Sequence, residues 1–99
     1  MFKSAKQLKK ETDEVFQEVL EREVKCLVDK FNSQSTQAKR DGLYKIYLCT
    51  ETNSDAELVA MRVIRRELKE KGYKCGFIWT QDGWSHNYYE MKVSWKKIK

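Results

Sequence analysis

Trp79, Trp84, His86 and Tyr88 fall within ten residues of one another, and further upstream Arg62, Arg65 and Arg66 fall within a span of five. Aromatic rings of this kind stack on flat π systems such as nucleobases. Guanidinium groups grip phosphate or carboxylate oxygens through paired hydrogen bonds. Asn53 and Ser54 stand at the start of a helical pattern, where unpaired backbone amides attract anions. The chemistry on offer is recognition of a flat, negatively charged molecule. Each feature also has a plain structural use. Trp79 and Trp95 can fill a small core, Arg65 and Arg66 can pair with Glu67 or Glu70 at helical spacing, and a polar loop can carry His86 to solvent. Trp84 is set apart because it follows Asp82-Gly83, a turn dipeptide, where core contacts are hard to make.

Catalytic groups do not assemble in the same way. His86 is the one histidine, and it has no cysteine or acidic neighbour at the spacing a positioned base needs. Cys26, Cys49 and Cys75 are odd in number, widely spaced and without a CxxC pair, so they read as reduced thiols in a cytosolic compartment and as small core residues. No glycine-rich phosphate loop, dinucleotide fingerprint or HExxH metal motif is present. The expectation is a non-enzymatic protein with no cofactor and no metal.

The elements that must position these residues follow from periodicity. From Ala5 to Phe31 the apolar residues recur at helical spacing, Ser4 with Gln7 forms a capping pattern, and Gly42 supplies a helix stop. A helix this long outruns the core of a 99-residue chain, and its apolar stripe most simply packs on a symmetry mate. Residues 1–42 are thus expected to be a helical arm used for oligomerisation, and residues 43–99 a compact module, within one domain overall. LYKIYLC at 43–49 reads as a strand, with Tyr44, Ile46 and Leu48 on one face and Lys45 and Tyr47 on the other. Ser54 with Glu57 opens a second helix that ends at Gly72, with Glu57 taken as a surface charge. A second strand over 73–79 places Tyr73, Cys75, Phe77 and Trp79 on one side. A third over 88–95 alternates Tyr89, Met91, Val93 and Trp95 with a wet face of Tyr88, Glu90, Lys92 and Ser94. The fold class is α+β: a long N-terminal helix, then strand, helix, strand, strand, giving a small antiparallel or mixed three-stranded sheet with helices on one face.

The net charge of +5 is concentrated in residues 43–99, which hold eleven Lys or Arg against seven Asp or Glu. That excess suits a nucleotide or nucleic acid, and a solvated lysine-rich face gives the same count. No apolar run is long enough to span a bilayer, and residues 1–14 carry no signal-peptide core, so a cytoplasmic protein with no membrane partner is expected.

The KRDG helix end before a strand, the helix closing in EKGYKC and the final YYEMKVSW strand resemble a recurring type of small tailed-phage protein, over roughly residues 38 to 95. Some small phage proteins of comparable build resemble anti-defence sponges, which assemble as oligomers and sequester the cyclic oligonucleotides of bacterial CBASS or Thoeris immunity. The resemblance implies a homo-oligomer acting in the cytoplasm of an infected bacterial host cell, capturing a cyclic di- or trinucleotide without turnover. The expected ligand contacts are Trp84, Tyr88, His86, Trp79, Arg62, Arg65, Arg66, Asn53 and Ser54, with the QDGWSHN and TETNSD loops as pocket walls. The alternative is a phage accessory protein that binds nucleic acid or a host protein through a basic aromatic face. A third reading makes the aromatic surface an oligomer interface.

Overall fold

The computed structural model describes residues 2–82 and 87–96. Helix α1 runs unbroken over Ala5–Arg40, followed by strand β1 (Lys45–Cys49), helix α2 (Asp55–Glu70), β2 (Lys74–Cys75), β3 (Trp79–Asp82) and β4 (Asn87–Ser94). The polar stretch after Phe31 does not interrupt α1. Ser35 and Thr36 turn their hydroxyls back onto the Asn32 carbonyl, at 3.2 and 2.8 Å, so these side chains bond within the helix instead of competing with it.

Both helices end in the same way. Gly42 and Gly72 adopt positive φ, and the next residue donates its amide five residues back into the last turn: Leu43 to the Ala38 carbonyl at 2.8 Å and Tyr73 to the Leu68 carbonyl at 3.0 Å. This glycine-terminated cap reverses the chain and delivers it directly into a strand. Among the described residues, no atom beyond its chain neighbours lies within 4 Å of where a Cβ on Gly72 would sit, so the glycine is required by its backbone conformation.

The sheet is antiparallel and centred on β4. Along one edge β1 pairs with it, setting Ile46 opposite Val93 and Leu48 opposite Met91. Along the other edge lie β2 and then β3. Ile46, Leu48, Met91 and Val93 face the helices and close a core with Leu27, Ala60, Met61, Ile64 and Leu68. Phe31, Tyr73 and Trp95 seal one end of this core through successive edge-to-face contacts at 5.4 and 6.2 Å. Met61 is fully buried, although the helical pattern alone did not single it out. Both helices lie on one face of the sheet, as the sequence implies. No described helix is long and apolar enough to cross a membrane.

The single second strand expected over 73–79 is two strands. Cys75 pairs with Val93 and Trp79 with Glu90, so residues 76–78 stand against only Met91 and Lys92. Three residues against two make a β-bulge, and a surplus residue transfers all later side chains to the opposite face. Phe77, expected on the same side as Tyr73 and Cys75, is 86% exposed, and Trp79 is carried away from the helices to the opposite face. Tyr44 also departs from its expected place, being exposed just outside β1.

Glu57 is the other correction, being 4% exposed where a surface charge was expected. Its carboxylate accepts from the amides of Glu51 and Thr52, both at 2.9 Å, from Ser54 through amide and hydroxyl, and from the Thr52 hydroxyl. Burial alone would push its pKa up, but the hydrogen bonds from Thr52 and Ser54 outweigh that and hold it below the ordinary carboxylate value.

Two outcomes follow for stability. A folded-state pKa lower than the unfolded one gives stability that is complete above about pH 4.5 and is lost as pH falls through the folded value. Glu57→Gln should therefore cost about 1–3 kcal/mol at pH 7 and flatten the acid limb of a urea-denaturation series. An unchanged acid limb would mean that Glu57 does not organise the loop. Gly72→Ala should lower stability by about 1 kcal/mol through backbone strain alone, read from the same denaturation midpoints.

Candidate nucleotide-binding face

Both helices lie on one side of the sheet, and no described element covers the other side. Register assigns its residues row by row. Lys45, Ser94 and Lys74 form one row across β1, β4 and β2. Tyr47 and Lys92 form the next, then Cys49, Glu90 and Trp79, and Tyr88 with Gln81 after them. Strands lie about 4.8 Å apart, so Lys45 and Lys74 flank Ser94 with roughly 10 Å between their Cα atoms. Lys92 stands two residues along the same central strand.

Lys45, Lys74 and Lys92 share a shallow cleft with Lys96 and Ser94. None of the four makes an ion pair among the described residues, where the salt bridges are Lys3–Glu11, Lys9–Asp13 and Lys30–Glu51. Unpaired ammonium groups this close repel one another, and an anion between them relieves that repulsion.

The middle of the face is set by Glu90. The Trp79 indole Nε1 donates to its Oε1 at 3.1 Å, the Gln81 amide donates to the same oxygen at 3.3 Å, and the Cys49 thiol donates to Oε2 at 3.4 Å. Trp79 is thus oriented by a hydrogen bond at its edge while 52% of its surface remains exposed. Tyr47 is 44% exposed one row away, and Tyr88 is half-buried. Burial pushes the Cys49 thiol up to about 11, with Glu90 reinforcing the effect through its hydrogen bond and charge. The thiol therefore stays protonated and acts as a donor.

The residues expected at one pocket are distributed over separate places. Trp79 and Tyr88 share the uncovered face. Arg62, Arg65 and Arg66 line a groove with Phe77 and Ile78 beside the bulge, on the helix side of the sheet. Arg65 is committed there, donating from Nε to the Gly76 carbonyl at 2.9 Å. Asn53 and Ser54 lie at the start of α2, where the Ser54 hydroxyl accepts from the Glu57 amide at 3.2 Å and the loop amides are turned onto the Glu57 carboxylate. The protein supplies its own anion at that helix start. Trp84 and His86 lie outside the described residues. No group of three or more metal-binding side chains occurs among the described residues.

Each of these lysines is unremarkable in its own strand, so the local sequence carries no signal for it as a ligand. Alternation places Lys45 and Tyr47 on one face and Lys92 on the wet face, but only the pairing of β1 and β2 with β4 shows these residues to be neighbours. No family model, curated protein or solved structure matches this chain.

Proposed function

We propose that the uncovered sheet face captures phosphodiester-linked nucleotides without turning them over. The observation that carries this reading is the run from unpaired Lys45, Lys74 and Lys92 to the exposed rings of Tyr47 and Trp79 on one continuous surface. Phosphates belong at the lysine end, because Glu90 makes the far end unfavourable for a second negative charge. Bases belong on Tyr47 and Trp79, where stacking tolerates any sequence.

Two sources supply this ligand chemistry. In the anti-defence reading the ligand is a cyclic di- or trinucleotide, and the protein acts as a stoichiometric sponge in the host cytoplasm. A compact ligand on an open face needs a second copy to close over it, which accords with reading the arm as an assembly element. The other source is a single strand of nucleic acid. The open shape of the face supports this one, since an extended strand can lie along the rows without a lid.

Calorimetric titration with cyclic di- and trinucleotides and with a short oligothymidylate separates the two, and mass spectrometry of material released on heating reports any ligand carried through purification. Lys74→Glu with Lys92→Glu should weaken binding at least ~tenfold and reduce its salt dependence. Tyr47→Ala should cost about 1–3 kcal/mol, the worth of one stacked base. Arg62→Glu, on the other side of the sheet, should change little. No binding across the panel, or binding indifferent to the lysine reversal, would overturn the proposal.

A further inference from the structure

Among the described residues, none of α1 upstream of Leu20 belongs to the core or packs against it. Packing against the core begins at Leu20 and continues through Val24, Leu27, Phe31 and Ala38. Upstream of these, Leu8 and Val15 are more than half exposed, at 57% and 53%. With a rise of about 1.5 Å per residue, residues 5–23 form a rod of about 28 Å. Its projection accounts for the elongated outline of 58 × 32 × 20 Å.

Two features specify what covers this rod. Ala5, Leu8, Thr12, Val15 and Val19 follow alternating spacings of three and four, the pattern of a seam between two helices. The charge along the rod is polarised: residues 3–10 carry four lysines and no acid, whereas residues 11–23 carry six acids and one arginine. Two parallel rods would oppose lysine to lysine and acid to acid. Two antiparallel rods bring each lysine segment beside the partner's acidic segment, within reach of the field at a Debye length of about 8 Å.

We infer that the arm pairs antiparallel with the arm of a second copy, folded over between Asp13 and Glu14. This register sets Leu8 level with the partner's Val19, Thr12 with the partner's Val15 and Ala5 with the partner's Arg22. Asp13 and Glu14 meet the partner's like charges at the centre, but helical geometry turns both away from the seam. The inference deepens the reading of the arm as an assembly element. It is independent of the ligand, because every measurement below is made without nucleotide.

Light scattering should give twice the mass of a single chain, with dissociation increasing as salt is raised. Leu8→Glu with Val15→Glu should weaken the dimer at least ~tenfold while leaving the helical circular dichroism of the module in place. Orientation is read by cysteine cross-linking in a Cys26→Ser background. Ala5→Cys with Arg22→Cys should give a covalent dimer on mild oxidation, and Ala5→Cys alone should not. A monomer at all concentrations, a dimer indifferent to Leu8→Glu with Val15→Glu, or cross-linking by Ala5→Cys alone would each overturn the inference.

Discussion

Because β4 is paired along both edges, its register with each neighbour decides which side chains meet the helices and which meet solvent. Along the β1 edge the count is one to one, so Ile46 and Leu48 share the core with Val93 and Met91. Along the other edge residues 76–78 outnumber Met91 and Lys92 by one. Had the count been even, Trp79 would stand opposite Tyr89 on the helix side. The surplus residue instead sets it beside Glu90, where a carboxylate fixes the indole edge and leaves much of the ring exposed. The character of the uncovered face depends on that single residue.

The bulge has a second effect, on the arginines. A bulged strand leaves backbone groups outside the regular ladder, and these need partners. The Gly76 amide still reaches the Lys92 carbonyl at 2.9 Å, while the Gly76 carbonyl takes the Arg65 Nε–H. Arg65 therefore ties α2 to the irregular edge. The positive charge of α2 and that of the lysine cleft lie on opposite sides of the sheet, and one ligand cannot bridge them without wrapping the edge. This separation is why the lysines and aromatic rings, and not the arginines, define the candidate site.

Much of the architecture was legible because it rests on short-range rules. Ser54 with Glu57, glycines after each helix and the alternation of Tyr89, Met91, Val93 and Trp95 are local signals, and each element they predicted exists. What was not legible depends on counting residues between strands distant in sequence. Periodicity put Phe77 and Trp79 on the side of Cys75, since nothing within 73–79 marks the extra residue. Glu57 likewise looked like a surface charge because its capping role was visible, whereas its enclosure by residues 50–52 required the loop to fold back over it. The candidate face was hidden for the same reason, as its lysines come from three strands.

The Glu57 carboxylate and the Glu90 carboxylate show how position changes the meaning of one side chain. Glu57 is buried and surrounded by donors from its own loop, so its charge is spent on backbone amides and its role is to hold the loop between β1 and α2. Glu90 lies on an open surface and receives an indole, an amide and a thiol, all neutral donors. No cation cancels it within hydrogen-bonding distance among the described residues, so its negative charge still acts on whatever approaches the face. Between Glu90 and the lysine row lie only Tyr47 and Lys92, one row of the sheet. In the proposed reading, a ligand with a phosphate at one end and an aromatic ring at the other would meet attraction and then stacking along this short distance. In that reading a uniformly anionic surface would meet repulsion halfway, so the proposed site would select for order as well as for charge.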